Sequence, residues 1–354
     1  GFGDLTRDEI DNLAAFGSVD WRITDRWSTA FELRWARDEI TVTNREIDGS
    51  GTVVAPSPFN QTFDSLTPRF TLSYTPAADR HYYLSIAKGT KPGDFNARAP
   101  DESFRAVDEE RVWSYELGFK GRWAEGVTTA VAVYTMDVDD QQMTALFELP
   151  DGSSTPIIRN VGRSRVRGVE LEAAAALTER TGVGLTYAYT DAEYREHISI
   201  DEADLRGSDG SVAQTRVLGD VSGNTLPRVP EHMASLRARY EHPLRAGRVW
   251  YVGADYSYQS SKFAQEHNLI ETGDRRLAGL RTGLSSEQWE LTVWVTNLLD
   301  DDTPVDVQRY FDSRSGTLPR LPHNGSGRVS SLPRGFVLSL PRGRQYGATV
   351  RWRF

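Results

Sequence analysis

The chain ends with the stretch QYGATVRWRF, residues 345–354. Every second residue in it is apolar and the residues between are small or basic, so a strand here would have one apolar and one basic face. The apolar positions are Tyr346, Ala348, Val350, Trp352 and Phe354, and the others include Gly347, Thr349, Arg351 and Arg353. A half-buried strand of a soluble protein shows the same alternation, so the stretch predicts a strand and leaves its environment open.

The composition narrows the class of protein. The 354 residues carry a net charge of −9, which argues against a nucleic-acid partner because phosphate binding needs a concentrated basic face. The lack of cysteine excludes disulfides, thiolate metal sites and thiol nucleophiles. The sequence contains no window of about 18 apolar residues, so it predicts no membrane-spanning helix. A transmembrane β-strand is still possible, because it needs only about 9–11 residues, of which every second one is apolar. The nine Trp and fourteen Tyr favour a membrane interface.

A two-residue period divides the sequence into about thirteen predicted strands. Short turns near residues 25, 77, 125, 180, 244 and 286 alternate with long loops near 55, 98, 147, 207, 268 and 318. The first long loop is expected over about 45–66 and the third over about 139–168. This pattern predicts an all-β, antiparallel up-and-down transmembrane β-barrel, because a soluble sandwich mixes its connection lengths.

The two faces of the predicted strands indicate a wide barrel. Eight aromatic residues fall at the short-turn ends, where an interfacial belt would lie: Tyr74, Tyr82, Phe119, Trp123, Tyr240, Trp250, Trp289 and Phe354. The opposite face carries charges of both signs, which a wide barrel exposes to water or to a plug and a small dry barrel could not hold. Single-chain bacterial barrels have even strand numbers, so either a strand is missed or the chain is part of something longer.

Five segments resemble, in order, segments of the TonB-dependent receptors. They are 83–96 (YLSIAKGTKPGDFN), 110–120 (ERVWSYELGFK), 160–162 (NVG) with 167–172 (RGVELE), 296–300 (TNLLD), and the closing strand. In that strand Gly347, Val350, Trp352 and Phe354 resemble the C-terminal signal that hands outer-membrane barrels to their assembly machinery. The resemblance implies a barrel of about 22 strands around an N-terminal plug, driven by the inner-membrane TonB complex. Residues 1–354 are then expected to be a C-terminal part of the barrel domain, without signal peptide, plug or TonB box.

The resemblance implies a function in nutrient uptake. The main expectation is an outer-membrane receptor of a Gram-negative bacterium that imports a ferric siderophore or similar iron complex. A passive porin-like channel and TonB-dependent uptake of a vitamin or carbohydrate remain alternatives. Ligand contacts are expected from aromatic and arginine residues of the long loops, namely Phe95, Arg98, Phe104, Arg105, Tyr310, Phe311 and Arg314. The expected partners are outer-membrane lipid, the barrel-assembly machinery, the TonB complex and the small-molecule ligand, with no nucleic acid.

The sequence shows no clear pattern of catalytic or metal-binding residues. His197, His267 and His323 lie in predicted loops without a recognisable Ser or Asp constellation, so no enzyme, cofactor or metal is expected. The run Asp300-Asp301-Asp302 does not have the spacing of a calcium loop and is expected to be solvated. The closing strand is expected at the exposed edge of an open, curved sheet, because its barrel-closing partner is missing from this sequence.

Overall fold

A computed structural model describes residues 5–45, 57–96, 99, 102–148, 154–199, 220–311, 320–323, 327–330 and 334–353. Within these residues the fold is all-β, with one antiparallel sheet of thirteen strands, as predicted. The strands are β1 (Leu5–Arg22), β2 (Trp27–Arg45), β3 (Ser57–Ala77), β4 (Arg80–Lys91), β5 (Glu110–Ala124), β6 (Val127–Glu148), β7 (Ser154–Thr178), β8 (Thr181–Glu196), β9 (His232–Pro243), β10 (Val249–Gln259), β11 (Arg275–Ser285), β12 (Trp289–Thr296) and β13 (Gln345–Trp352). No helix in the described ranges is long and apolar enough to cross a membrane.

The sheet is an up-and-down meander, and its strands follow one another in chain order from β1 to β13. β13 pairs with β12 alone among the described strands, so the prediction that the closing strand lies at an edge is confirmed. β1 forms the other edge. Because each neighbouring pair is antiparallel and the number of strands is odd, β1 and β13 run in the same direction.

Several strands are longer than the sequence pattern predicts. The loop expected over 45–66 is wrong in part, because β3 already begins at Ser57 and pairs with β2. The loop expected over 139–168 is also wrong, because β6 and β7 stay paired as far as Glu148 and Ser154. Ion pairs such as Arg165–Asp137 (2.6 Å) and Arg37–Asp64 (2.9 Å) join neighbouring strands where these extensions begin.

One face of the sheet is apolar and ends in a belt of aromatic rings at the short-turn end. Ring centroids lie 4.5 Å apart for Trp27 and Tyr74, 4.7 Å for Tyr82 and Phe119, and 5.1 Å for Phe119 and Trp123. Tyr240 and Trp250 continue the belt at 6.0 Å, and Trp289 pairs across the strands with Trp352. The predicted aromatic placement is therefore confirmed for seven of the eight residues, while Phe354 lies outside the described residues.

The opposite face, which we call the polar face, carries the predicted charges. Glu32 and Arg69 form an ion pair of 3.5 Å, and Arg351 lies 3.5 Å from Glu290. The Tyr83 hydroxyl donates to Glu116 at 2.5 Å. A cleft of about 720 Å³ opens on this face and is lined by polar groups that include Glu116, Glu170, Glu172, Lys120 and Arg275.

Glycines on the polar face make room for long side chains from the next strand. A Cβ added at Gly118 would lie 2.2 Å from the Tyr83 ring, and one at Gly283 would lie 2.7 Å from Tyr251. Gly347 is covered in the same way by the indole of Trp294, 2.7 Å from an added Cβ. In each case the aromatic ring occupies the space that a side chain at the glycine position would fill. This contact fixes the register of the two strands.

Replacing Gly347 with valine is therefore expected to destabilise the β12–β13 edge by about 1–3 kcal/mol, because the Trp294 indole must leave the strand surface. The indole would also lose its 3.3 Å hydrogen bond to Thr349. Ala348→Val is the control, since Ala348 is exposed on the apolar face. Heat-modifiable gel migration of the full-length protein measures the effect. Equal stability of the two variants would contradict this packing role.

Candidate functional site

The described residues of the connection between β4 and β5 (92–96, 99 and 102–109) form an arm that folds onto the polar face at the long-loop end. It covers a small apolar core of Ile40, Val42 and Phe63, against which Phe95 packs. Gly93 fits this contact because an added Cβ would lie 2.3 Å from the Phe63 ring and 2.2 Å from the Val107 carbonyl oxygen. The arm is therefore a packed element and not a loop that extends into solvent.

The buried amide of Asn96 fastens one end of the arm to β7. Its side-chain nitrogen donates to the carbonyl oxygens of Phe104 and Ile158, both at 2.7 Å. Its side-chain oxygen accepts from the Ile158 N–H at 2.7 Å, and its backbone N–H donates to the Arg105 carbonyl at 2.8 Å. Asn96 is only 8% exposed, so each of these backbone groups depends on it for a partner.

Two further amides hold the other end of the arm. The side-chain nitrogen of Gln142 donates to the Pro92 carbonyl at 2.8 Å and to the Asp108 carbonyl at 3.0 Å. Asn160 accepts from the Asp108 N–H at 2.7 Å and donates back to the Asp108 carbonyl at 2.9 Å. Both ends of the arm are thus attached to the extended β6–β7 hairpin.

Asn96→Ala is expected to weaken the attachment of the arm by about 2–3 kcal/mol, because two carbonyls and one N–H lose their buried partner. Faster hydrogen exchange of residues 102–108 measures this, while β6 and β7 below the arm keep their protection. Asn12→Ala is the control, because Asn12 makes one exposed hydrogen bond, to Asp38. Unchanged exchange in the arm would show that Asn96 does not hold it.

The arm and the neighbouring strands β3 and β7 together present aromatic rings stacked with guanidinium groups. The rings of Phe59 and Phe95 lie 6.1 Å apart, and the guanidinium carbon of Arg105 lies 4.3 Å from the Phe59 centroid. The guanidinium of Arg159 lies 5.3 Å from the Phe104 ring. All five side chains are half-buried. Flat apolar surface and fixed cations in one place suit an anionic ligand with a planar part.

A second packed body lies at the same end, where the β8–β9 and β10–β11 connections meet. The buried His197 lies 2.6 Å from the Glu266 carboxylate, which also accepts a hydrogen bond from Ser199. Burial alone would raise the pKa of Glu266, but the hydrogen bonds from His197 and Ser199 outweigh it and the pKa is lowered. Asn268 and Thr225 join the connections by two hydrogen bonds of 2.7 and 2.9 Å.

The structure brings some of the predicted ligand contacts together. Phe95, Phe104 and Arg105 all belong to the arm, whereas Tyr310 and Phe311 end a separate hairpin of Asp306–Phe311 with Arg334–Ser339. Arg98 and Arg314 lie outside the described residues. Phe59 and Arg159 were not among the ligand contacts predicted from the sequence. Both lie in stretches that were expected to be loops and that the structure shows as strand.

Comparison with known proteins identifies the family. The family model "TonB dependent receptor-like, beta-barrel" matches residues 3–298. The chain belongs to this family. The ferrioxamine receptor of Yersinia enterocolitica is 23% identical over 79% of this chain and 35% of its own length. The ferrichrome outer membrane transporter/phage receptor of Escherichia coli K12 is 31% identical over 52% of this chain and 22% of its own.

Solved receptor structures share the fold. The ferric yersiniabactin uptake receptor FyuA from Yersinia pestis superposes with a TM-score of 0.73 at 19% identity, covering 100% of this chain and 47% of that one. The chain thus spans about half of this solved receptor and a smaller share of the curated relatives. The thirteen-stranded sheet corresponds to part of a receptor barrel.

The receptor motifs are structural junctions in this chain. Asn96 and Asn160, from two of the motifs, bond the arm to β7. In the TNLLD motif, Asn297 bonds the Asp301 and Arg342 carbonyls at 2.9 and 3.1 Å, and Asp300 accepts from the Arg344 N–H at 2.9 Å. Asp300 and Asp302 are exposed, as expected of a solvated run, while the Asp301 carboxylate accepts from the N–H groups of Arg276 at 2.6 Å and Thr303 at 2.8 Å. Among the described residues no group of three His, Asp or Glu side chains is arranged to hold a metal ion.

Proposed function

We propose that this chain forms part of the wall of an outer-membrane TonB-dependent receptor that imports an iron complex, in the first place a ferric siderophore. The observation that carries the proposal is the packed arm, which holds stacked Arg and Phe side chains over the polar face at the long-loop end. In the proposed orientation this end faces the cell exterior, since barrels of this kind have short periplasmic turns and long extracellular loops.

The relatives support the choice of cargo. The names of the two curated relatives, a ferrioxamine receptor and a ferrichrome transporter, both refer to iron chelates. Among iron chelates, those with aromatic or anionic oxygen donors suit a surface of phenyl rings and guanidinium groups. Vitamin or carbohydrate uptake by the same route would need a similar aromatic surface but not the two stacked arginines.

The rest of the receptor is also part of the proposal. Because β1 and β13 run in the same direction, a closed antiparallel barrel needs an odd number of additional strands between them. We infer that the polar face holds a plug, which the TonB complex moves, and that the apolar face contacts outer-membrane lipid after insertion by the assembly machinery. The charged cleft with Glu116, Glu170 and Glu172 suits a cationic face of that plug.

A catalytic role is not supported by the most suggestive cluster. Ser199, His197 and Glu266 are the residue types of a hydrolase triad, but the serine hydroxyl donates to the carboxylate and not to the imidazole. The imidazole therefore cannot act as the base for this serine in the observed arrangement. All three side chains lie in the buried junction between two connections, where they join the chain segments.

Uptake by the full-length receptor tests the proposal. The receptor is expressed in an iron-starved, receptor-deficient Gram-negative strain, with and without functional TonB, and supplied with radioiron complexes. Iron uptake that requires both the receptor and TonB supports it. Uptake that continues without TonB would favour a passive channel, and TonB-dependent uptake of a vitamin or sugar but of no iron complex would change the cargo.

A further inference from the structure

Two arginines, Arg105 in the arm and Arg159 in β7, are placed to receive an anion. Each guanidinium lies against a phenyl ring, at 4.3 Å from the Phe59 centroid and 5.3 Å from the Phe104 centroid. Stacking holds a guanidinium by one face and leaves its N–H groups directed outward in the plane. Those groups can form paired, charge-assisted hydrogen bonds with a carboxylate or a catecholate.

Among the described residues, no buried acid forms an ion pair with either arginine. The carboxylate near Arg105 belongs to Glu102, which is 3.7 Å away and has 92% of its side chain exposed. An exposed pair of this length contributes little. Arg159 makes no ion pair within the described part of the chain. The Asp94 carboxylate, next to Phe95 in the arm, accepts from the Phe95 N–H at 2.7 Å.

Asn96 fixes both arginines from one point. It bonds the backbone of Phe104 and Arg105 on one side and of Ile158, the neighbour of Arg159, on the other. The two cation–ring stacks are therefore held on either side of one buried amide before any ligand arrives. A site whose cations are already fixed loses less conformational entropy on binding than one that must order them.

We infer that Arg105 and Arg159 make this receptor selective for iron chelates with net negative charge, and that Asn96 is the positioning residue of the pair. The inference rests on the proposed function and adds the charge of the cargo to it. Catecholate and citrate complexes of iron(III) are anionic and supply oxygen pairs for the guanidinium N–H groups. A neutral or cationic hydroxamate complex gives the same arginines no charge to bind.

The test measures binding of three radioiron probes to the full-length receptor in outer-membrane vesicles: ferric citrate, a ferric tris-catecholate and ferrioxamine B. The variants are Arg105→Gln, Arg159→Gln, Arg105→Lys and Asn96→Ala. Arg26→Gln, in the exposed turn between β1 and β2 at the opposite end, is the control. Each Gln variant is expected to bind the anionic probes at least about tenfold more weakly, because one charge-assisted contact is lost.

The remaining outcomes separate the two proposals. Arg105→Lys should keep part of the affinity, since it retains the charge but not the planar fork. Asn96→Ala should lower the preference for anionic over neutral probes while the Arg26 control keeps it, an effect that general destabilisation would not produce. A wild-type receptor that prefers ferrioxamine B, or Gln variants that bind every probe as well as the wild type does, would overturn the inference about charge and leave the proposed function intact. A wild-type receptor that binds no iron chelate would overturn the proposed function and this inference with it.

Discussion

Leu117→Arg is expected to destabilise the full-length receptor in a lipid bilayer by about 2–4 kcal/mol, the cost of an arginine at the midplane of a transmembrane barrel. Leu117 lies on the apolar face and is 60% exposed, although it is a large hydrophobic side chain. It stands between the Phe119 ring of the belt and the stacked rings of Trp113 and Tyr115. From Trp113 to Trp123 the strand is about 34 Å long. At a tilt of about 45° it covers roughly 25 Å along the membrane normal, which is the height of the apolar band of a transmembrane barrel.

Ser114→Arg is the matched control for this prediction. Ser114 is on the same strand but on the polar face, opposite Ala87 and Met136. An arginine there reaches water or the charged groups of the cleft and needs no desolvation. Urea unfolding in phospholipid vesicles measures both variants. Equal destabilisation of the two, or none for Leu117→Arg, would contradict the assignment of the apolar face to lipid.

The strand number and the two faces could be predicted from the sequence because a transmembrane strand repeats its constraint at every second residue. Trp113, Tyr115, Leu117 and Phe119 show that alternation, and the same face is apolar in the structure. The belt at the short-turn end could be predicted as well, since short turns fix which residues lie at the strand ends. The alternation of apolar residues stops at about Asp137 in β6 and Arg165 in β7. Beyond these residues the sequence pattern no longer distinguishes a strand from a loop.

The arm could not be predicted, because its contacts join segments that are distant in the sequence. Asn96 bonds Ile158, 62 residues away, and Gln142 bonds Pro92, 50 residues away. Nothing in the local pattern around Asn96 indicates these partners, although the segment resembled a family motif. The start of β3 around Phe59 was missed for another reason, since the prolines at 56 and 58 suggested a loop where β3 already pairs with β2.

The Glu266 carboxylate joins the β8–β9 and β10–β11 connections, and Glu266→Ala is expected to weaken this junction by about 3 kcal/mol. The change leaves the buried His197 and Ser199 without their shared acceptor. Hydrogen exchange at 221–226 and 263–268 should become about a hundredfold faster. Glu271→Ala is the control, because Glu271 accepts one exposed hydrogen bond, from Ser261, on the same connection. Similar exchange rates in the two variants would show that contacts other than those of Glu266 stabilise the junction.

The same carboxylate gives the junction a defined response to acid. The pKa of Glu266 is lowered in the folded chain from its ordinary value of 4.5. The contribution of Glu266 to the stability of the junction is therefore complete above pH 4.5 and is lost as the pH falls through the lowered pKa. His197, His267 and Tyr194 face this carboxylate. Glu266→Gln keeps the shape but does not titrate, so its exchange, corrected for the intrinsic rate, should stay level below pH 4.5 while that of the wild type rises. A parallel rise in both proteins would assign the acid response to another group.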